Sequence, residues 1–455
     1  MAAPNWNQAQ VLAQLDSDMH WRSSTITYAF PATSSGIYAD GEESGFRPLN
    51  STQQGIAKLA LAVWDEATAA SIVPGSVGRS DIEFGYTSTA IGYAHAYFPE
   101  VGSAWFNVTE PELVNPIVGE YGFMTFVHEI GHALGLDHMG DYNGAGSWSP
   151  SSYQDSAVLS VMSYFGPRGA AAIYSSQVMQ ADWQAANGNT YSAQTPMLND
   201  VMAIQAIYGA STTTRLDNTV YGFSSTVDGT TGAIFDFRRN PYPVLTIFDS
   251  GGIDTLNLSG WSTPSRVDLH AGAFTSANDM TSNIAIAYNT TVENAVGGGG
   301  NDVIVGNDVA NVLDGGAGGD ELQGLGGNDT LTGGTGNDII DGGTGDDTAV
   351  FDGVFALFTV SAVGNVVTLT STGSGTDRVS GVERFRFTDG TRTLTDLSPT
   401  ADITAPLLSG LSPSDNSANL SVGTSFVLTF NENVKAGGGS LHIWLADGSL
   451  WRSVA

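Results

Sequence analysis

Residues 128–138 read His128-Glu129-Ile130-Gly131-His132-Ala133-Leu134-Gly135-Leu136-Asp137-His138. On a helix, histidines at i and i+4 share one face a turn apart, so both imidazoles can reach one metal ion. Glu129, one residue round from His128, can stand beside that metal without ligating it, the place for a base acting on water. Gly135 can take the left-handed backbone that stops a helix, and the reversed chain then returns His138 as a third nitrogen ligand. Three neutral imidazoles with an open fourth position describe a catalytic zinc centre, because a structural site is closed by four protein ligands. A buried helix with two chance histidines would account for a bare H-E-x-x-H. It does not explain why three of the chain's seven histidines fall here, with glutamate and glycine in register for H-E-x-x-H-x-x-G-x-x-H.

Upstream of this stretch the residues predict an α/β layer. Gln8 to Leu15 reads as a short helix, and Ser24 to Phe30 alternates as a strand ending at Pro31. Ser51 or Thr52 can cap a helix running to about Ala70, with Ile56, Leu59, Ala60, Val63 and Trp64 on one face. Strand patterns follow at Asp81–Tyr86, Tyr93–Phe98 and Ala104–Val108, ahead of an apolar helix from about Gly119 to Leu136. His95 reads as a strand histidine, since the other three already fill the site. The last strand would border the cleft and offer an edge to which an extended peptide can add by main-chain pairing.

Downstream, Ser160-Val161-Met162-Ser163-Tyr164 begins 22 residues after His138. With this histidine pattern ahead of it, Val161-Met162-Ser163 resembles the Met-turn of the metzincin metalloproteases. Within metzincins the chain is similar to the serralysins, on three grounds. His138 continues as Met139-Gly140-Asp141-Tyr142-Asn143, Tyr164 follows Met162 by two, and Asp200 to Gly209 resembles the helix that closes the serralysin catalytic domain. The resemblance implies that His128, His132 and His138 bind zinc, Glu129 is the general base, Met162 underlies the metal, and Tyr164 is a switching zinc ligand. Water activated by zinc would attack the peptide bond with Glu129 taking its proton, and the Tyr164 hydroxyl would donate to the oxyanion. Read apart from the resemblance, Tyr164 is a packed aromatic. Met139 stands where the family commonly has proline.

From Gly297 a nine-residue period begins, as Gly297–Val305, Gly306–Asp314, Gly315–Gln323, Gly324–Thr332, Gly333–Asp341 and Gly342–Val350. Its pattern, G-G-x-G-x-D-x-U-x, is the calcium repeat of a parallel β-roll. An aliphatic residue at the eighth place fills a thin core. Asp302, Asp320, Asp329, Asp338 and Asp347 at the sixth place offer calcium hard oxygen ligands. A flexible glycine-rich linker would show neither the period nor the aliphatic position. The second repeat departs, with Asn307, Asp308 and Val309 replacing the glycine turn and Asn311 at the sixth place, so a full calcium site is not expected there. Without calcium the aspartates repel one another and the segment should be disordered.

Composition fits this reading. Lys+Arg 15 against Asp+Glu 46 leaves a net charge of −31, which argues against nucleic acid and anionic membranes as partners and for neutralisation by cations. Cysteine is absent, which suits a secreted bacterial protein stabilised by metal. Met1 to Trp21 has no basic region followed by an apolar core, so no signal peptide is expected, and no run of about 18 apolar residues spans a membrane.

The expected architecture is therefore an N-terminal segment (1–20, a propeptide remnant), an α/β metzincin catalytic domain (21–210) and an all-β parallel roll binding calcium (211–398). A linker (399–406) and a partial immunoglobulin-like β-sandwich (407–455) follow. That last module is too short for about seven strands, which reads as truncation. The implied protein is a secreted, calcium-dependent zinc endopeptidase. Its partners are protein and peptide substrates and a type I secretion machinery, with cell-surface or S-layer contact through the C-terminal region. The competing reading is a calcium-dependent surface adhesin with a vestigial protease domain, and the intact set of site residues weighs against it.

Overall fold

The chain folds as two units, Met1–Leu397 and Ser398–Ala455. The computed structural model describes residues 3–142, 149–166, 177–397, 407–412, 427–430, 441–444 and 450–454.

The first part of the larger unit runs α1 (Gln8–Leu15), β1 (Thr25–Ala29), α2 (Ser51–Asp65), β2 (Ser71–Pro74), β3 (Ile82–Thr87), β4 (Ala94–Ala96), β5 (Ser103–Asn107), α3 (Pro111–Val114), α4 (Tyr121–Ala133) and α5 (Leu198–Tyr208). The five strands form one sheet in the order β2-β1-β3-β5-β4, parallel except for β4, which pairs antiparallel with β5 at the edge. β3 and β5 are buried throughout, as expected of strands covered on both faces. α2 and α4 pack together, with the Trp64 indole donating to the Val127 carbonyl at 3.0 Å.

Two helices differ from expectation in instructive ways. α2 is capped by Asn50, whose side chain accepts from Gln53 N, and it stops at Asp65, whose carboxylate turns to take the Ile72 N–H at 2.6 Å. Its buried face is Gln53, Ala57, Ala60, Leu61, Val63 and Trp64, whereas Ile56 and Leu59 are only partly covered. Gln53 donates to the Val114 carbonyl, which turns the face toward α3 and α4. α4 is shorter than its apolar run, because Gly119 (φ 87°) and Gly135 (φ 104°) are left-handed at its two ends. α1 buries Val11 and Leu15 in the common core, so the N-terminal segment is built into this part of the chain.

The second part is all β. Strands Val303–Asn307, Glu321–Leu325 and Ile339–Asp341 stack in parallel in one sheet, and Val312–Asp314, Thr330–Thr332 and Thr348–Val350 in another. Successive nine-residue repeats therefore alternate between two sheets, which is consistent with a parallel β-roll. The eighth-place residues stack in register and are fully buried: Ile304, Leu322 and Ile340 on one side, Leu313, Leu331 and Ala349 on the other. Coils continue beyond the repeats. Val220–Gly222, Thr255–Asn257 and Asn294–Val296 precede them in parallel pairing, while Gly375–Ser380 and Arg384–Phe387 follow after an inserted hairpin, Thr359–Val363 with Val366–Ser371. Among the described residues no helix is long and apolar enough to cross a membrane.

In the smaller unit, Leu408–Ser412 pairs antiparallel with Val427–Phe430, and Leu441–Trp444 with Leu450–Val454. The expected strand from Ser425 is described from Val427, and the expected linker and the Gly437-Gly438-Gly439 turn lie outside the described residues.

Candidate metal centre

The centre is assembled by the end of α4. His128 and His132 project from one face, and the chain then reverses at Gly135, whose N–H donates to the His132 carbonyl while Leu136 N–H donates to Gly131. A side chain at position 135 would meet the Met19 carbonyl at 2.3 Å, so the turn needs both the glycine's conformation and its lack of a Cβ. The reversal delivers His138. One ring nitrogen from each of the three histidines lies within 4.8 Å of the others, with His132 Nε2 and His138 Nε2 3.1 Å apart.

Second contacts fix how these rings point. His128 Nδ1 lies 2.7 Å from the Val161 carbonyl and His132 Nδ1 2.7 Å from the Leu136 carbonyl. A carbonyl only accepts, so each Nδ1 carries the proton and each Nε2 keeps its lone pair for a metal. Burial holds the rings neutral: it lowers His128 to about 4 and His138 to about 3, and pushes His132 well below the usual histidine range. Glu129 is 4% exposed. Its Oε2 has no partner among the described residues. Burial raises its carboxyl to about 8, against a bond from the Ala96 backbone. An adjacent cation would return it to the carboxylate form. An orphaned carboxylate oxygen beside three convergent lone pairs fits a divalent cation bound by imidazole.

Met162 is fully buried under the helix; a Cβ on Gly131 would meet its sulfur at 2.7 Å. The Met162 carbonyl accepts the Met139 N–H at 3.1 Å, a bond that a proline at 139 could not make. Asp200, at the start of α5, secures the turn: one oxygen accepts the Ser160 hydroxyl, the other the N–H groups of Val161 (2.7 Å) and Met197 (2.8 Å). Since the Val161 carbonyl also orients His128, Asp200 reaches the centre through one residue. Tyr164 is 44% exposed, its ring 4.6 Å from that of His138 and 4.8 Å from that of Tyr142. Burial, then Glu129, raises its hydroxyl above the usual tyrosine range, so it remains a proton donor. Tyr142 donates to Asp155 at 2.9 Å, and Ser163 donates to the same oxygen at 2.8 Å. The predicted six (His128, Glu129, His132, His138, Met162, Tyr164) thus meet in one place. Asp200, Asp155 and Tyr142 support them; Asp200 and Tyr142 entered the sequence reading only as parts of stretches with a family resemblance, and Asp155 not at all, since none has chemistry legible in its spacing. His95 lies on β4 with Nε2 2.7 Å from Glu42, apart from the three-imidazole cluster.

A cleft of about 660 Å³ opens beside the centre, lined by Tyr93, Ala94, Tyr121, His128, Glu129 and Tyr164 among others. The edge strand β4 borders it, in place of the last strand in sequence, β5, which lies between β3 and β4 and has no free edge.

The roll carries a second kind of centre. Four of the five sixth-place aspartates use Oδ1 to accept the N–H of the residue 18 positions earlier: Asp320 from Asp302 (2.7 Å), Asp338 from Asp320 (2.9 Å), Asp329 from Asn311 (2.8 Å) and Asp347 from Asp329 (2.8 Å). The remaining Oδ2 atoms of Asp320, Asp329, Asp338 and Asp347 are buried and have no partner among the described residues. Burial, opposed by those same bonds, raises Asp320 and Asp329 to about 6. Four orphaned carboxylate oxygens, two on each ladder, are the donor chemistry of a hard cation. Asp302 differs, with Oδ2 accepting from Gly298 at 2.7 Å. In the degenerate repeat, Asn311 donates to Asn307 and accepts its N–H, so the amides satisfy each other. Asp377 and Glu383 end the two ladders by accepting from Asp338 (3.2 Å) and Asp347 (2.8 Å).

With both centres described, the comparisons bear on kinship. Residues 210–398 match the Peptidase M10 serralysin C terminal family. A serralysin of Photorhabdus laumondii subsp. laumondii is 38% identical over 286 residues, covering 59% of this chain and 56% of the relative. Serralysin C of Dickeya chrysanthemi is 37% identical over 317 residues (66% of this chain, 61% of the relative), and metalloprotease AprA of Pseudomonas entomophila 36% over 308 (64% and 60%). The chain thus spans little more than half the length of these relatives. An extracellular lipase, LipA from Serratia marcescens, aligns structurally at 24% identity over 23% of this chain and 18% of its own, with a TM-score of 0.20, too slight to inform the fold. Over 59–66% of its length the chain is similar to the serralysins, and its roll part matches their C-terminal family.

Proposed function

We propose that this chain is a secreted, calcium-dependent zinc endopeptidase acting on extended protein segments. The observation that carries the reading is the convergence of three buried imidazole lone pairs beside a carboxyl oxygen without a partner, at the floor of a cleft. His128, His132 and His138 would hold the zinc, which supplies Lewis acidity for a carbonyl and for water. Glu129 accepts the proton of the attacking water and passes it to the leaving amine. Tyr164, protonated and partly exposed at the centre, donates to the oxyanion. The substrate chain pairs with the β4 edge. Met162 and Asp200 keep His128 in place.

The aspartate ladders would take calcium at the orphaned oxygens of Asp320, Asp329, Asp338 and Asp347, with Asp302 at the first coil. The roll orders as the metal binds. Export would use a type I route into the extracellular space. The smaller unit would be half of an immunoglobulin-like sandwich that contributes surface or S-layer contact.

Casein hydrolysis by the protein beside Glu129→Ala, in millimolar calcium, tests the activity. Loss of a general base should cost about 10²–10⁴-fold while bound zinc stays at parity. Equal rates for the two proteins, or none in zinc- and calcium-loaded protein, would defeat the proposal.

A further inference from the structure

The cleft has a wall that α4 and β4 do not supply. Trp183, Tyr191 and Ala193 line it from a short hairpin, in which Gln184 bridges Thr190 and the Tyr191 N–H donates to the Trp183 carbonyl at 3.0 Å, and where that hairpin sits depends on what it packs against. One tie runs to the head of α4, where the Gly119 carbonyl accepts the Ser192 N–H at 2.8 Å, and the others run to the roll part. Gln194, 1% exposed, donates its N–H to the Val244 carbonyl at 2.8 Å. Its side chain exchanges amide bonds with Asn240 (2.6 and 3.2 Å) and donates to the Tyr242 carbonyl at 3.1 Å. Thr195 accepts the Thr246 N–H at 2.8 Å, and Asp182 and Thr281 bond each other twice. Above these polar ties the Tyr191 ring stacks on Tyr242 at 4.6 Å and 24°.

We propose that the substrate cleft is built from both parts of the larger unit, with Tyr242 of the roll part the positioning residue that sets Tyr191 against an extended peptide. The inference rests on the peptidase reading for its substrate class. Tyr242 does not line the cleft; it acts through Tyr191. Stacking fixes a ring carried at the end of a small hairpin, and an ordered wall lowers the entropy lost when a flexible chain binds. Any change in the roll part that moves residues 240–246 then reaches the cleft without touching the metal centre.

The test separates this from activity by using Glu129→Ala protein, which holds peptide without cutting it. Anisotropy of a fluorescein-labelled casein peptide gives the dissociation constant for that protein and for the same protein with Tyr242→Ala, Tyr242→Phe or Tyr191→Ala added. Tyr242→Ala should weaken binding about three- to tenfold, and Tyr242→Phe, which keeps the ring, should restore it. Tyr191→Ala should weaken binding to a similar degree, and the double alanine variant should add little, as expected of two residues acting as one contact. Equal affinity for Tyr242→Ala and the parent, failure of Tyr242→Phe to restore binding, additive losses, or no peptide binding at all would each overturn the proposal. Should Tyr242→Ala fail to fold, the Tyr191→Ala and Tyr242→Phe pair decides alone. Absence of casein hydrolysis by protein with Glu129 intact would defeat the peptidase reading, and anisotropy would still decide how the wall is held.

Discussion

The two candidate metal regions solve opposite problems. At the end of α4, backbone carbonyls aim two of the three neutral imidazoles within a large apolar core. In the roll, the groups that would hold the cation are carboxylates whose second oxygens are buried with nothing to bond. The first is a set of neutral donors in an apolar core; the second is a set of charged donors on a thin one. An uncharged ligand can wait in a core at modest cost, whereas buried carboxylates in ladders cannot.

The largest expected effect that separates them is removal of calcium. Chelation should abolish hydrogen-exchange protection between residues 297 and 350 while the α4 amides remain protected, and adding calcium should restore it. Equal protection of both regions without metal would erase the distinction. A smaller effect probes the imidazole centre. Asp200→Asn keeps the shape but weakens the hold on Ser160 and the Val161 peptide, and should lower zinc affinity by about tenfold, the lower end for an outer-shell partner. Competition with a chromophoric chelator measures this, with calcium binding to the roll unchanged.

The smallest effect is one of pH, measured by thermal unfolding of metal-free protein. Asp320 and Asp329 titrate near 6 in the fold, above the unfolded value of about 4. Their stabilisation is therefore full below the unfolded value and is lost as pH rises through about 6. His128 and His138 lie below their unfolded value of about 6.5, so theirs is present above that pH and is lost on acidification. Glu129, near 8, and Asp200, near 7, turn the sign again at the alkaline side. The metal-free roll should thus keep most order near pH 4 and lose it before neutrality while the helical part peaks near neutrality, and calcium should reverse the trend in the roll.

What the sequence made legible divides along the same line. Three histidines, a glutamate and a glycine within eleven residues carry their chemistry in their spacing, and a nine-residue period carries its geometry in repetition. Asp200, 38 residues beyond Met162, has no such spacing; only the fold brings it under the turn. Asp377 and Glu383 escaped for a related reason. The hairpin at 359–371 pushes them 39 and 36 residues past their partners, where every repeat uses 18. The buried face of α2 was misjudged by one position at Ile56 and one at Leu59, because Gln53 is tied inward by the Val114 carbonyl and periodicity ranks apolar residues ahead of a bonded amide.

The ladder spacing has a last consequence. A link joins residues 18 apart while the repeat is nine, so the roll behaves as a screw with two repeats to the turn. Evolution or engineering can excise eighteen residues, such as 315–332, and leave the phase of everything downstream untouched. Excising nine preserves every local bond yet rotates the closing strands by half a turn, exchanging the sheets that end in Gly375–Ser380 and Arg384–Phe387. The parity of the repeat count, more than its size, is what the closing coils inherit.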